Sequence, residues 1–113
     1  MEIETRTETG IEIVKLIGRL SMGPALDRFN STMTELLRES HNKIVLDLEE
    51  MPTIDSSGIG MLVRHLTTAK QGGGNIRLLN PSKFTVQTLK MVGLLNLFTI
   101  WEDLAEALEA FQK

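Results

Sequence analysis

The residues of this chain best suited to chemistry lie in one short segment, Asp55-Ser56-Ser57-Gly58-Ile59-Gly60. Two serine hydroxyls follow a carboxylate, and apolar residues with helical spacing begin directly after them, so we predict that a helix starts here. A helix start has unpaired backbone N–H groups and the positive end of the helix dipole, and both favour an anion. The simplest interpretation is structural, because Asp and Ser are ordinary helix caps.

Catalysis by either serine has little support in the sequence. The G-x-S-x-G motif of serine hydrolases is absent, because neither Ser56 nor Ser57 has a glycine two residues before it. A nucleophilic serine needs a base within hydrogen-bond reach, and His65 lies about 13 Å from Ser56 along the predicted helix. The phosphate-binding motif G-x-x-x-x-G-K-[ST] is absent too. With no cysteine and two isolated histidines, His41 and His65, we expect no metal site and no cofactor. A small serine hydrolase using Ser56 or Ser57 is kept as a rival hypothesis.

An exposed serine at a helix start, without catalytic partners, suits the role of a phosphoryl acceptor. Phosphorylation adds about −1.5 to −2 units of charge. We expect the phosphate to accept hydrogen bonds from the N–H groups of Gly58 and Ile59, while Asp55, Glu49 and Glu50 make the surrounding surface strongly negative. The fold should therefore tolerate the modification, and a docked partner should not.

Two glycines in the first turns of the predicted helix need a reason. Gly58 and Gly60 each cost a helix about 1 kcal/mol relative to alanine. The usual compensation is the close approach of another backbone. The approach could be internal, helix against strand, or external, from a partner protein, and the sequence leaves both open.

Hydrophobic periodicity predicts the elements that position this segment. The predicted strands cover residues 3–7, 11–17, 43–48, 75–79 and 97–101, and the predicted helices run from 24 to about 41, from 55 or 56 to 71, from 82 to 92 and from 103 to 112. This order implies a single α/β domain over residues 1–113, with a mostly parallel central sheet, an antiparallel N-terminal strand pair and about four helices. The strand order is left open. The segment 55–60 then follows the carboxyl end of a central strand, where functional residues of open α/β sheets gather.

Composition narrows the function classes. A chain of 113 residues can bury about two-thirds of its surface, which is enough for a core without disulfides. The net charge of −3 and the lack of a basic stripe argue against nucleic-acid binding. No apolar run approaches the ~20 residues that a membrane span needs, and the acidic N-terminus does not resemble a signal peptide. We therefore expect a soluble cytoplasmic domain that does not bind membranes.

In the segment 55–60 and the strand before it, the sequence resembles the bacterial anti-sigma factor antagonists, which are STAS domains. The resemblance rests on the segment 55–60 and on the strand Ile44-Val45-Leu46-Asp47-Leu48 before it. Further matches are Gly18-Arg19-Leu20 in the loop after the second strand, Gly73-Gly74 before a strand, and Val92-Gly93-Leu94 after the third helix. Together these positions span nearly the whole chain.

The resemblance implies a phosphorylation switch. The family's modified serine matches Ser56, which would be phosphorylated by a partner that is both anti-sigma factor and serine kinase. The unphosphorylated protein would bind that partner and free a sigma factor, and a serine phosphatase would reset it. The protein would then be a binding module and not an enzyme. The alternative within the family is a STAS subunit that scaffolds a larger signalling or transport complex without being phosphorylated.

The partner surface implied by the resemblance combines the segment around Ser56 with the loop after the second strand. Ser21 stands where the family often has an aspartate, so the site should be less negative and its kinase selectivity could differ. Met61 lies beside the glycines and off the apolar stripe, so it could be core or partner surface. The predicted contact residues are Ser21, Met22, Asp55, Ser56, Ser57, Gly58, Gly60 and Met61.

Overall fold

The computed structural model describes residues 1–112, which form the predicted succession of strands and helices. The strands are β1 (Glu2–Glu8), β2 (Ile11–Ile17), β3 (Lys43–Asp47), β4 (Asn75–Leu79) and β5 (Thr99–Trp101). The helices are α1 (Pro24–Arg38), α2 (Ser56–Gln71), α3 (Lys83–Met91) and α4 (Leu104–Ala110). The α/β class and the element order are confirmed.

The five strands form one sheet in the order β1-β2-β3-β4-β5. The first two strands pair antiparallel, as predicted, and every later pair is parallel. Since β2, β3 and β4 run in the same direction, their carboxyl ends share one edge of the sheet. The loops that follow these strands therefore meet at that edge, and α2 begins there.

The sheet is covered on both faces. One face packs against α1, α2 and α3 through the larger hydrophobic core, which includes Phe29, Met33, Leu62 and Leu66. The other face is covered by α4 through a smaller hydrophobic core, to which α4 contributes the buried Ala107. Alternation within β3 explains its continuous apolar run, because Ile44 and Leu46 face the larger core while Val45 faces α4.

The last strand and the last helix are shorter than predicted. The prediction of strand from residue 97 was wrong, because Leu95–Leu97 form a 3-10 turn and the strand starts at Thr99. The turn closes when the N–H of Phe98 donates to the carbonyl of Leu95, and the Phe98 ring is buried in the core. Asp103 is the cap of α4 and not its first helical residue. Among the described residues, no helix combines the length and the apolar character that crossing a membrane requires.

Candidate functional site

Two loops are joined at the edge of the sheet where α2 begins. The loop after β2 covers residues 18–23, and the loop after β3 covers residues 48–55. The N–H of Gly18 donates to Glu50, the N–H of Leu20 donates to Thr53, and the N–H of Asp55 donates back to Leu20, at 2.9–3.2 Å. These bonds hold the two loops together as a short extension of the sheet, with Leu20 and Ile54 as bridge partners.

Asp55 is both the cap of α2 and a clamp on the neighbouring loop. Its Oδ1 accepts a hydrogen bond of 2.8 Å from the N–H of Gly58, which is the capping bond that its position predicts. Its Oδ2 accepts a second bond of 2.9 Å from the N–H of Met22. The pKa of Asp55 is lowered, first by the bond from Met22 and then by the bond from Gly58. The helix start therefore already holds an anion that belongs to the chain itself.

The two serines differ in exposure. Ser56 is the first residue of α2 and is exposed, whereas Ser57 is half-buried. Within residues 1–112 the hydroxyl of Ser56 has no hydrogen-bond partner, so its oxygen is free to meet a second protein. The difference favours Ser56 over Ser57 as the residue that a modifying enzyme can reach.

The expected phosphate cradle at Gly58 and Ile59 is wrong. The N–H of Gly58 is taken by the carboxylate of Asp55. The N–H of Ile59 donates at 3.0 Å to the backbone carbonyl of Asp55, which is the first hydrogen bond of the helix. A phosphate on Ser56 would meet the positive end of the helix without these two donors, and it would stand beside an existing carboxylate.

The two glycines serve different purposes. Gly58 is buried, and a Cβ built on it would lie 2.8 Å from Ile54 Cγ1, 2.8 Å from the Leu20 carbonyl oxygen and 3.0 Å from Leu20 Cγ. The close approach at Gly58 is therefore internal, which is one of the two possibilities that the sequence left open. Gly60 is exposed, and a Cβ there would meet nothing within 4 Å. Only Gly60 faces open space that a partner could enter.

The other predicted contact residues surround Ser56 unevenly. Met22 is 74% exposed and is held beside the helix start by its bond to Asp55. Ser21 is half-buried in the same loop. Met61 is half-buried and packs against the main core, so it contributes less open surface than Met22. Among the predicted contact residues, Met22 accordingly offers the most exposed apolar side chain.

The negative surface expected around Ser56 is smaller than the sequence suggested. Glu49 is exposed, but the carboxylate of Glu50 is paired at 2.6 Å with the ammonium group of Lys15. This pair raises the pKa of Lys15. Ser21 adds no charge, so Asp55 is the carboxylate that dominates the immediate surroundings of the Ser56 hydroxyl.

The histidines provide no base for Ser56. His65 is buried, its Nε2 lies 3.1 Å from Asn30 Oδ1, and its ring meets the edge of Phe29 with 5.7 Å between ring centroids. Burial lowers the pKa of His65 to about 4. His41 is occupied elsewhere, with its Nδ1 2.9 Å from the carboxylate of Glu12. In the described part of the chain, no three His, Asp or Glu side chains are placed to share a metal ion.

Sequence reasoning missed the structural role of His65, although a signal was present. His65 lies three residues after Leu62 and four before Ala69, which places it on the buried stripe of α2. A polar side chain on such a stripe needs a buried hydrogen-bond partner, and Asn30 of α1 supplies it.

A groove of about 490 Å³ lies between β1 and α1, lined by Thr5 and Glu12 among others, and it is separate from the Ser56 surface.

Comparison with known proteins agrees with this fold. A family model described as STAS domain matches residues 2–107. The anti-sigma F factor antagonist of Paenibacillus polymyxa is 28% identical over 109 residues, which are 96% of this chain and 92% of that protein. The crystal structure of TM1081, a candidate anti-sigma factor antagonist of Thermotoga maritima, has a TM-score of 0.91 at 23% identity and covers 98% of this chain and 95% of that one. The phosphorylated form of SpoIIAA, a Bacillus cell fate determinant, has a TM-score of 0.76 at 20% identity and covers 96% of this chain and 98% of that one.

Proposed function

The chain belongs to the STAS domain family, and on that premise we propose that it is an anti-sigma factor antagonist controlled by phosphorylation of Ser56. In its unphosphorylated form it binds an anti-sigma factor that is also a serine kinase, and a sigma factor is thereby released. The kinase phosphorylates Ser56 and the complex dissociates. A serine phosphatase restores the binding form. The protein takes part as a binding module and a kinase substrate, and it needs no cofactor for this.

The observation that carries the proposal is the clamped helix start. Asp55 fixes both the first turn of α2 and the N–H of Met22, so Ser56 and Met22 are presented together on a rigid surface. A kinase needs an accessible hydroxyl in a defined place, and Ser56 meets that need. A binding partner needs an exposed apolar anchor, and Met22 supplies one that is 74% exposed.

The switch acts mainly on the interface. A phosphate on Ser56 would add a dianion beside Asp55, with the N–H groups of Gly58 and Ile59 already occupied. Burying that charge against a partner without a matching cation would cost several kcal/mol. Such a loss corresponds to about 10²–10³-fold in affinity, at 1.4 kcal/mol per decade. Since the Ser56 hydroxyl forms no hydrogen bond within residues 1–112, we expect the fold to keep its arrangement when the serine is phosphorylated.

The test begins with phosphoryl transfer. The wild-type protein, incubated with the cognate anti-sigma factor/serine kinase and ATP, should gain one phosphoryl group in its intact mass spectrum. Ser56→Ala should gain none. Ser57→Ala is the matched control, because it removes the neighbouring hydroxyl and leaves the exposed one, and it should be modified like the wild type. Modification of Ser56→Ala together with loss of modification in Ser57→Ala would overturn the assignment.

The second part of the test measures binding. Calorimetry with the unphosphorylated wild type should detect a complex with the anti-sigma factor, and Ser56 phosphorylation should weaken it by about 10²–10³-fold. Binding that does not change on phosphorylation would refute the switch, and a wild type that gains no phosphoryl group from the cognate kinase would favour the alternative of a scaffold subunit. Labelling of Ser56 or Ser57 by a fluorophosphonate would instead favour a serine hydrolase.

A further inference from the structure

Acidic and basic residues are distributed unevenly along the chain. No Asp or Glu occurs between residues 56 and 101, a stretch of 46 residues that includes five cations. The remainder of the chain holds all 15 acids and the other seven cations. Helix α3 lies inside the acid-free stretch, so its surface is basic although the whole protein has a net charge of −3. The five cations are Arg64, Lys70, Arg77, Lys83 and Lys90.

The outer side of α3 combines cations with exposed apolar groups. Thr85 and Leu89 point inward and are buried. On the opposite side lie the five exposed residues that we call the α3 face: Lys83, Phe84, Gln87, Lys90 and Met91. Phe84 is 50% exposed and Met91 is 86% exposed.

The α3 face repeats with a period of seven. Lys83 and Phe84 are followed seven residues later by Lys90 and Met91, so a cation and an apolar group recur together two turns apart, about 10.5 Å along the helix. Within residues 1–112 neither lysine forms an ion pair. Heptad-spaced apolar groups flanked by charges are what a second helix recognises when it packs alongside.

The apolar surface continues beyond the helix. Val92 directly after α3 is 53% exposed, and Leu97 in the adjoining 3-10 turn is 43% exposed. That turn packs against α3. Single exposed apolar residues are normal on protein surfaces, whereas several that lie close along the chain favour an interaction site.

We propose that the α3 face binds an acidic amphipathic helix of a partner protein. Apolar side chains of that helix would contact Phe84 and Met91, and its glutamates would pair with Lys83 and Lys90. Charge complementarity selects an acidic partner, because Lys83 and Lys90 are exposed on this face and form no ion pair within residues 1–112. The seven-residue spacing of Phe84 and Met91, each next to a lysine, favours a helix as the occupant.

Two other occupants fit less well. On an anionic membrane each lysine would contribute only about 1 kcal/mol of binding free energy, and the membrane would repel the rest of this acidic chain. A second copy of the chain could offer the acids of α4, but the apolar side of α4 is already covered by its own sheet. That helix would bring charge to the α3 face and no free apolar anchor.

The α3 face is separate from the Ser56 surface, although the two are mechanically connected. The Oγ of Ser82, which caps α3, donates at 3.1 Å to the carbonyl of Pro52 in the loop that leads to Ser56. The bond fixes the start of α3 against that loop. Binding at the α3 face does not use the Ser56 hydroxyl, so its test is independent of the proposed phosphorylation switch.

The test uses two synthetic amphipathic helices of about three heptads as probes. Both carry leucine at the a and d positions, and the flanking positions hold glutamate in one peptide and lysine in the other. Amide NMR titration should show shifts confined to residues 82–97 with the acidic peptide and none with the basic peptide. Raising the salt concentration should weaken the acidic complex. Equal binding of the two peptides would overturn the proposal.

Variants locate the site. Lys83→Glu with Lys90→Glu should weaken binding of the acidic peptide at least about tenfold, and Phe84→Ser should do the same. The matched control is Lys43→Glu with Lys70→Glu, which reverses two exposed lysines elsewhere and should leave binding unchanged. Thermal melting checks that every variant folds. Binding that survives both α3 variants, or that is lost in Ser56→Asp, would overturn the proposal.

The rival occupants are tested with the same variants. Sedimentation with vesicles of phosphatidylcholine and phosphatidylglycerol, and sedimentation velocity of the protein alone, should show neither vesicle binding nor self-association that depends on the α3 face. Vesicle binding abolished by Lys83→Glu with Lys90→Glu, or a dimer dissociated by Phe84→Ser, would overturn the assignment of a partner helix.

Discussion

Substituting alanine at the two glycines of α2 should change stability in opposite directions. Both positions lie in the first turns of the same helix, and alanine has the higher helix propensity at each by at most about 1 kcal/mol. At Gly60 a Cβ meets nothing within 4 Å, so this gain should be realised almost fully. At Gly58 the same methyl group has no space.

The cost at Gly58 comes from a contact that cannot relax easily. The side chain of Ile54 could rotate away from a Cβ placed 2.8 Å from its Cγ1. The carbonyl oxygen of Leu20, also at 2.8 Å, is backbone, and it accepts a hydrogen bond from the N–H of Asp55. Moving it would separate the two joined loops. Overpacking of this kind costs about 1–3 kcal/mol, and after a propensity gain of at most about 1 kcal/mol is subtracted the net loss is up to about 2 kcal/mol.

Thermal melting followed by circular dichroism should therefore separate the variants. With about 4 °C per kcal/mol for a domain of this size, Gly60→Ala should raise Tm by about 2–4 °C and Gly58→Ala should lower it by up to about 8 °C. Urea unfolding should give the same order of stability. The reasoning would be refuted if Gly58→Ala were as stable as Gly60→Ala. The same geometry makes Gly60→Gln the clean probe of partner contact, because a long side chain there projects outward, whereas Gly58→Gln would also disrupt the loops.

Three further predictions follow from the charges near α2. The lowered pKa of Asp55 means that its carboxylate stabilises the fold above pH ~4 and loses this effect as pH falls through the folded-state pKa, so the stability difference between wild type and Asp55→Asn should shrink below pH ~4 in urea titrations. The pKa of His65 is lowered from 6.5 to about 4. The buried neutral imidazole therefore stabilises the fold fully above pH 6.5, and this stabilisation is lost as pH falls toward 4. His65→Gln, which can still bond to Asn30, should flatten that dependence, and an unchanged pH profile would contradict the buried neutral imidazole. Ser56→Asp should keep wild-type amide NMR shifts outside residues 55–60 and should bind the anti-sigma factor far more weakly; widespread shifts in α1 or α4 would indicate an allosteric switch instead.

Local patterns were sufficient to predict most of the elements. Alternation in residues 11–17 and helical spacing after Asp55 each reflect one buried face, which is a property of neighbouring residues along the chain. The order of the strands depends on which strands meet after the chain has folded, and no local pattern contains it. The segment from Leu94 to Phe98, which is apolar except for Asn96, is compatible with a strand and with a tight turn, and in the turn that forms Phe98 is buried in the core.

The site could be predicted in part for the same reason. The cap at Asp55 is a local feature, since the carboxylate and the N–H of Gly58 are three residues apart. Its second bond, to Met22, joins positions 33 residues apart and becomes visible only when the two loops lie side by side. The contact of Gly58 with Leu20 is likewise tertiary, so the sequence could require a close approach there without deciding between an internal and an external one.

The use of Asp55 explains why a single phosphoryl group could control this surface. A helix start usually offers free donors that would neutralise part of an added anion. Here the carboxylate of Asp55 takes the donor of Gly58, and its backbone carbonyl takes that of Ile59. A phosphate on Ser56 would not gain these two donors, so they would leave its charge to face outward. A partner that fits the neutral serine and the apolar side chain of Met22 would have to desolvate that charge or supply a cation for it. In the proposed switch, both the fixed position of Ser56 and the uncompensated charge of its phosphate would depend on Asp55, which accepts hydrogen bonds from Met22, Gly58 and Ile59.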